Sequence, residues 1–341
     1  MGSKSGTVLA LFLLASLPAC AHDVKDPVCR MMTDTDTTPY REAVGGKTYY
    51  FCSDGCKAKF DKAPAAYVTL NAGLAAGQVH TYRLALDAPT HPVPGQPVPL
   101  SFVIREAPTG RVVQDFEVVH TKPLHFLMVS ADLAYFEHQH PRLGPDGRFR
   151  LAWTFPRAGR YFLFTDFTPT DGDNQILRAT LDIGPVHSVN ALLRLVPDTK
   201  QTKTVGDTRI RLDVRPGVMR AGKQALLTYT LSDLSGQGRT DMQPILGVMG
   251  HLIALQGDEQ TLVHTHALHG VQPGSYGAAM LVMMQAGQPE AVPITPEMVT
   301  QSGPRFTFKL TLPKPGRYKL WAQFQRQNKW LTVPFTVDVK D

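Results

Sequence analysis

From residue 80 to the end of the chain, short runs of alternating apolar and polar residues dominate the sequence. Examples are YRLALDA, VPLSFVIREA, RFRLAWTF and GRYFLFTDF, separated by the turn sequences PTGR, GPDG and RAG. A period near two with turns in between predicts antiparallel strands packed as a β-sandwich. The pattern lapses between Pro185 and Asp207 and restarts with RIRLDV and QALLTYTLSDLSG. We therefore expect two tandem β-sandwich domains, at residues 78–186 and 205–341.

The second domain repeats the first. FPRAGRYFLFTDF (155–167) aligns with LPKPGRYKLWAQF (312–324). This period far exceeds 50 residues, so the repeated unit is a whole domain and not a solenoid repeat. The second copy carries an insertion at 267–302, rich in glycine, proline and methionine, which predicts a long loop of the kind that is usually functional or disordered.

Residues 24–70 form a separate small unit with a different pattern. The aromatic, alternating run KTYYFC predicts a strand that ends at Cys52, and Asp54 is a residue type that often begins helices. A unit of this size has too little core to be stable without a staple. Its three cysteines, Cys29, Cys52 and Cys56, follow the spacing C-x22-C-x3-C. The fold class predicted for the whole chain is therefore mainly β, with a small α+β cysteine-rich domain followed by two tandem β-sandwiches.

The three cysteines predict a metal site, because thiolates select soft ions such as Cu(I) and Zn. The fourth ligand is not fixed by the sequence, although Met31 or Met32 could serve for copper. A disulfide between Cys52 and Cys56, or between Cys29 and Cys52, with one idle thiol is the open alternative.

Two sets of three histidines recur at one spacing in the two sandwiches. They are His125, His138 and His140 in the first set, and His251, His264 and His266 in the second set. The second member follows the first by thirteen residues and the third by fifteen in both sets. Histidines at i and i+2 of a strand share one face, with Cα atoms ~7 Å apart, so a hairpin could bring three imidazoles to one metal ion. We predict two candidate metal sites, and the sequence does not decide whether the domains share them.

Acidic and further basic residues accompany these histidines. Asp166 is a candidate ligand of the first set, and its counterpart in the second half is Gln323, a weaker ligand. Asp132 and Asp258 each follow the first histidine by seven residues, where capping of a turn is as reasonable as ligation. His120 lies near the first set and could extend it. The alternative is that the histidines are structural residues that bind backbone groups at buried corners.

The distribution of charge and the missing catalytic motifs narrow the range of predicted functions. The net charge is +6, but lysine and arginine are scattered, so no nucleic-acid partner is predicted. The patterns GxSxG, GxxxxGK[ST] and HExxH are missing, so we see no reaction and favour a binding protein over an enzyme. Lys4, the apolar stretch Val8 to Leu17 and the ending LPAC predict an export signal that is too short to span a bilayer.

The LPAC ending resembles the lipobox of bacterial lipoproteins. This resemblance implies that residues 1–20 form a lipoprotein signal peptide and that the acylated Cys20 anchors the mature chain to a membrane. Ala21 follows this cysteine, which in that family points to the outer membrane, facing the periplasm.

Two further resemblances concern metals. DPVCRM and YYFCSDGCKAKF resemble the YHS (TRASH-like) heavy-metal-binding domain, which implies that Cys29, Cys52 and Cys56 are ligands. The first histidine set lies in a DL-x-x-F-x-H-x-H-P pattern, which resembles periplasmic metal-handling proteins with two Ig-like or cupredoxin-like domains. The pattern comprises Asp132, Leu133, Phe136, His138, His140 and Pro141.

These resemblances imply an exported, membrane-anchored heavy-metal-binding protein. Copper is the preferred metal, with zinc or another heavy metal as the alternative, and the role is sequestration or delivery to an efflux or assembly partner. Two other functions stay open: a structural or assembly protein whose Ig-like domains bind a protein partner, and a copper-dependent oxidoreductase.

Overall fold

The computed structural model of the protein describes most of the chain after its first 22 residues. The described residues are 23–28, 32–35, 38–45, 47–52, 54–65, 67, 81–107, 109–170, 172, 174–185, 195–257, 261–268 and 303–341. Several features predicted above lie outside these residues: the signal peptide with Cys20, Cys29, Met31, Asp258 and positions 269–302 of the insertion.

The N-terminal unit consists of two short hairpins and a helix. Its elements are β1 (Asp23–Lys25), β2 (Met32–Asp34), β3 (Arg41–Val44), β4 (Lys47–Tyr50) and α1 (Asp54–Lys62). Asp54 lies in the first turn of α1, where a carboxylate complements the positive end of the helix dipole. Phe60 of α1 lies 5.0 Å, between ring centroids, from both Tyr49 and Phe51, and these rings form the core of the unit.

The first sandwich contains two sheets. Its strands are β5 (Tyr82–Asp87), β6 (Pro97–Glu106), β7 (Leu124–Ser130), β8 (Phe136–Gln139), β9 (Arg142–Leu143), β10 (Phe149–Thr154), β11 (Gly159–Phe167) and β12 (Gln175–Ile183). One sheet has the order β5-β6-β10-β9 and the other β12-β11-β7-β8. Phe102 lies between Phe126 and Phe149, with ring centroids 5.1 and 5.3 Å away, so aromatic side chains fill the space between the sheets.

The second sandwich repeats this arrangement. Its strands are β13 (Thr202–Val205), β14 (Thr208–Arg215), β15 (Met219–Arg220), β16 (Gln224–Ser232), β17 (Met242–Gln243), β18 (His251–Gln256), β19 (Leu262–Leu268), β20 (Arg305–Thr311), β21 (Gly316–Arg326) and β22 (Lys329–Lys340). The layer β14-β16-β20 is joined to the layer β18-β21-β22 through β19, which pairs with both β18 and β20. The connector predicted at 185–207 is shorter than expected, because Gly206 and Asp207 form a two-residue turn that pairs β13 with β14.

Both sandwiches carry the same corner. Tyr161 donates a hydrogen bond to the carbonyl of Arg157 at 2.9 Å, and Tyr318 donates one to the carbonyl of Lys314 at 3.0 Å. Such tyrosine corners are typical of Ig-like sandwiches. The prediction of a mainly β chain with Ig-like sandwiches is confirmed. Among the described residues, no helix has the length and apolar character needed to cross a membrane.

The two sandwiches pack against each other through one sheet of each. Along β7, Phe126 and Met128 point into the first sandwich, whereas Leu127 and Val129 point towards the second. The same alternation on β18 directs Ile253 and Leu255 into the shared layer. Because side chains alternate along a strand, His125 and His251 lie on these interface faces as well.

Aromatic rings close the contact between the sandwiches. Phe136 of β8 stacks on Trp321 of β21, with ring centroids 4.8 Å apart and an interplanar angle of 14°. Trp321 is only 3% exposed. The interface is therefore an apolar layer with the histidines at one end.

Candidate metal centre

The hairpin of β7 and β8 assembles the first histidine set. Its strands pair Leu127 with His138, so that His140, just beyond β8, comes close to His125. The Nδ1 atom of His125 lies 3.0 Å from the Nε2 atom of His138 and 3.2 Å from the Nε2 atom of His140. These separations are close to those of nitrogen atoms that share one metal ion through bonds of ~2.0–2.1 Å.

The outer ring nitrogen of His125 and of His138, which points away from the other histidines of its set, forms a hydrogen bond that determines which nitrogen carries the proton. His125 Nε2 lies 3.2 Å from the carbonyl oxygen of Val119, an acceptor only, so this nitrogen donates. His138 Nδ1 lies 2.9 Å from Oε1 of Gln323, whose amide nitrogen is turned towards Thr332, so His138 Nδ1 also donates. When both rings are neutral, their inner nitrogens, His125 Nδ1 and His138 Nε2, carry no proton. Their lone pairs therefore face each other.

A hydrogen bond from His140 cannot satisfy the inner nitrogens of both His125 and His138. If His140 donates its Nε2 proton to His125, the Nε2 lone pair of His138 still faces an acceptor at 3.0 Å. A cation placed among the three nitrogens would satisfy all of them at once. The donor set therefore fits a metal ion with imidazole ligands, such as copper or zinc.

The first two members of the second set reproduce this geometry in the other sandwich. His251 Nδ1 lies 3.1 Å from His264 Nε2, and His251 Nε2 lies 3.2 Å from the carbonyl oxygen of Ile245. His264 Nδ1 lies 2.7 Å from Oδ2 of Asp166. The third member, His266, has a buried Nε2 atom with no hydrogen-bond partner among the described residues.

The two sets meet across the domain interface and form one histidine cluster. The ring centroid of His125 lies 6.0 Å from that of His251 and 5.3 Å from that of His264. His138 lies 5.3 and 5.4 Å from the same two rings. One group of ligand atoms within 4.8 Å of one another combines His138 of the first sandwich with His251 and His264 of the second.

Asp166 lies beside His125 in the strand register but serves the other set. Its strand β11 faces the interface, so one carboxylate oxygen reaches His264, while the other accepts a hydrogen bond of 2.8 Å from Asn174. The expectation that Asp166 extends the first set is therefore corrected. Asp132 lies on the turn after β7 and accepts from the backbone of Ala134 at 3.1 Å, which is a turn-capping role.

His120 also lies against the second set, not the first. It occupies a tight turn with φ of 48°, and its ring centroid is 3.9 Å from that of His266. The equivalent turn of the second sandwich has Leu246 at this position, with φ of 51°. Only the packing of the two sandwiches brings His120 to His266, so the sequence could not assign it correctly.

Burial keeps these imidazoles in the form that binds metals. It is the main cause that lowers the pKa of His125, His138, His251 and His266 well below the ordinary value, and the neighbouring histidines add to it. Neutral imidazole is the ligand form.

The cysteine unit contains a second candidate site. The sulfur atoms of Cys52 and Cys56 lie 3.7 Å apart, well beyond the ~2.05 Å of a disulfide bond. Asp26 completes a group of three ligand atoms within 4.8 Å. Its two oxygens accept hydrogen bonds from the backbone of Cys52 at 2.7 Å and of Val28 at 2.8 Å.

Asp26 was not among the ligands predicted from the sequence. Burial, followed by the charge of Cys56, raises the pKa of Asp26 to about 8. The available signal was its position in the DPVC motif, directly before the proline. Cys29, the third predicted cysteine ligand, lies outside the described residues.

Fold and sites together define a mainly β protein with tandem Ig-like sandwiches and an N-terminal heavy-metal-associated domain. The model of a domain family described as "Domain of unknown function (DUF8832)" matches residues 77–184 and 203–341. The chain therefore belongs to this family. The YHS domain family matches residues 24–71.

The N-terminal unit is also similar to part of a larger protein. It is 45% identical over 46 residues to a copper-transporting P-type ATPase of Rhizobium leguminosarum bv. viciae. This match spans 14% of the chain and only 6% of the ATPase.

The solved structures to which this chain is similar share little sequence identity with it. The adhesin FdeC of Escherichia coli has a TM-score of 0.23 at 11% identity, with 77% of this chain and 66% of that chain covered. A two-domain fibronectin type III segment of chicken tenascin has a TM-score of 0.19 at 8% identity, with 74% and 97% covered.

Proposed function

We propose that this chain is an exported, membrane-anchored heavy-metal-binding protein that prefers copper to zinc or other heavy metals. Its role is to sequester the ion or to deliver it to an efflux or assembly partner. The observation that carries the proposal is the pair of inner lone pairs on His125 and His138, which face each other at 3.0 Å while their outer nitrogens donate elsewhere.

Two kinds of ligand suit two kinds of ion. The thiolates of Cys52 and Cys56 favour a soft ion such as Cu(I), whereas the imidazoles favour a borderline ion such as Cu(II) or Zn(II). The YHS family match and the similarity to a copper-transporting ATPase support metal binding by the N-terminal unit. Both ligand types accept copper and zinc, and the similarity of the N-terminal unit to a copper-transporting ATPase favours copper.

Deep burial favours binding over turnover. His125, His138 and His251 are 3%, 2% and 0% exposed. A catalytic metal keeps a coordination position open to substrate, and such burial favours complete enclosure of the ion by protein ligands.

Export and anchoring rest on the N-terminal sequence. The LPAC ending supports acylation at Cys20, and the periplasmic side of the outer membrane is the proposed location. Growth of cells with a labelled fatty acid tests this part. We expect label on the wild-type chain and none on Cys20→Ser, and an unlabelled wild-type chain would exclude the anchor.

Titration of the metal-free full chain with Cu(I), Cu(II) and Zn(II) tests metal binding. We expect the double variant His138→Ala, His140→Ala to bind less imidazole-bound metal than the wild type and Cys52→Ser, Cys56→Ser to lose thiolate-bound Cu(I). His91→Ala, at an exposed histidine far along the chain from both sets, is the matched control and should bind as the wild type does. Unchanged stoichiometry in both double variants would overturn the proposal, and substrate-dependent oxygen uptake by the loaded protein would indicate an oxidoreductase instead.

A further inference from the structure

We propose that the histidine cluster holds two metal ions in adjacent, unequal sites and that the ion beside Asp166 is bound first. One ion binds to His125, His138 and His140, and the other to His251, His264 and His266. This inference rests on the proposed function, because it requires that the cluster binds metal.

The contacts that prepare one set for a metal occur twice. His251 follows His125 by 126 residues, and Ile245 follows Val119 by the same number. The bond from the first histidine to this carbonyl is 3.2 Å in both sandwiches, and the first two inner nitrogens lie 3.0 Å apart in one set and 3.1 Å apart in the other. The first two ligands of a site are therefore present in two copies. The third ligand differs, because His140 Nε2 lies 3.2 Å from His125 Nδ1, whereas the Nε2 atom of His266 has no such contact among the described residues.

Each set depends on the opposite sandwich. The outer nitrogen of His138 donates to Gln323 on β21, and that of His264 donates to Asp166 on β11. Asp166 and Gln323 occupy equivalent positions, since Asp166 pairs with His125 and Gln323 with His251 in the strand registers. The supporting residues are thus exchanged between the domains, and neither set is complete in an isolated sandwich.

The exchanged residues differ in charge, which makes the sites unequal. A carboxylate that accepts from a metal-binding imidazole makes the ring more basic and offsets part of the charge of the ion, and loss of such a partner lowers affinity roughly 10–100-fold. Gln323 is neutral and provides orientation alone. Asp166 therefore gives the second set the higher affinity for a divalent ion.

A fourth imidazole adds to this difference. The buried Nε2 atom of His266 has no hydrogen-bond partner among the described residues, and the ring of His120 lies against it at 3.9 Å between centroids. In the equivalent turn of the other sandwich Leu246 offers no donor atom. The second set thus has more nitrogen atoms available than the first.

The two ions would be close neighbours. Rings of opposite sets lie 5.3 to 6.0 Å apart between centroids. Two Cu(II) ions held by such rings are expected to couple magnetically, which a single ion cannot do. Repulsion between the ions further separates the two binding events.

The test is Cu(II) titration of the full chain carrying Cys29→Ser, Cys52→Ser and Cys56→Ser, which removes the predicted cysteine ligands and leaves the histidine cluster as the binding site. Calorimetry should show two successive events, and the electron paramagnetic resonance spectrum should change from that of an isolated ion to that of a coupled pair. His266→Ala should remove the tighter event and His140→Ala the weaker one.

Substitutions that change the charge of Asp166 and Gln323 test the proposed order of binding of the two ions. Asp166→Asn should weaken the tighter event roughly 10–100-fold, and Gln323→Glu should tighten the weaker one. In the variant with both changes, His140→Ala should remove the tighter event and His266→Ala the weaker one. Gln323→Glu adds a carboxylate without removing one, so it remains informative if Asp166→Asn fails to fold.

The outcomes separate this inference from the proposed function. One uncoupled ion, lost in both His140→Ala and His266→Ala, would mean a single shared site, which overturns the inference and leaves metal binding intact. Two ions whose affinities do not respond to Asp166→Asn or Gln323→Glu would overturn the order of filling. Absence of any cluster-bound ion would overturn both proposals.

Discussion

The stack of Phe136 on Trp321 gives the sharpest prediction about how the two sandwiches are held together. Trp321 is 3% exposed, and replacement of a buried Trp by Ala costs about 3–5 kcal/mol. The rings are nearly parallel, at 14° and 4.8 Å, and such a pair contributes about 0.5–1.5 kcal/mol beyond the apolar area that it buries. We therefore predict a coupling free energy of about 1 kcal/mol between Phe136→Ala and Trp321→Ala.

The assay is a double-mutant cycle in urea, followed by circular dichroism, on the metal-free full chain. Leu227→Ala is the matched control, because Leu227 is fully buried in the core of the second sandwich and takes no part in the interface. It should lower the free energy of unfolding by about 2–5 kcal/mol and show no coupling to Phe136→Ala.

Metal affinity supplies a second readout. Trp321 lies two residues before Gln323 on β21, so loosening of this contact should also release His138 and weaken metal binding by the first set. Leu227→Ala should leave the affinity of the folded protein unchanged. Zero coupling between Phe136 and Trp321, or equal losses of affinity in Trp321→Ala and Leu227→Ala, would refute the interface described above.

Three further predictions concern acid, the corner and the cysteine unit. Burial lowers the pKa values of His125, His138, His140, His251 and His266, and it lowers the pKa of His120 to about 4. The unfolded chain therefore binds more protons than the folded chain below pH ~6.5, and the metal-free protein should lose stability as the pH falls from 6.5 towards 4 in a series of urea titrations. Tyr318→Phe removes the 3.0 Å bond to the carbonyl of Lys314 and should lower the free energy of unfolding by about 0.5–1.5 kcal/mol in urea; an unchanged value would deny the corner its role. Asp26→Asn can place an amide N–H donor opposite the backbone N–H of Cys52, which leaves both without an acceptor. The N-terminal unit should lose about 1–3 kcal/mol of stability, measured as faster hydrogen exchange in residues 47–62. Unaltered exchange would contradict this prediction.

Much of the fold was readable because the chain contains two copies of it. The repeated GRY segments aligned Tyr161 with Tyr318, and the alternating runs predicted the strands. The repeated histidine spacing predicted that each hairpin gathers its own set. These are local features, governed by the strand period and by hairpin pairing.

The contact between the sandwiches was harder to predict because it depends on which outer faces meet. LHFLMVS and HLIALQ are almost continuously apolar, and β7 and β18 are indeed buried along their entire length. A strand that is apolar on both faces indicates that both faces are covered, so this was the available signal. It could show that Leu127 and Ile253 need partners, but not that each partner is the other sandwich.

The destination of Asp166 follows from the same difficulty. Its place in the FLFTDF strand of the first sandwich, seven residues after Gly159, suggested the first set. The register places it opposite His125. Its side chain instead crosses to His264, a residue 98 positions away. Only the packing of β11 against the second sandwich determines this contact, and the same holds for His120 and His266.

Anomalous diffraction from crystals of the copper-loaded chain tests metal binding by the histidine cluster most directly. We expect copper density between the sandwiches, ~2.0–2.1 Å from His125 Nδ1 and His138 Nε2. Substitution of His138 by alanine should remove that density. Copper density confined to Cys52 and Cys56, with none among the histidines of a fully loaded protein, would contradict the account.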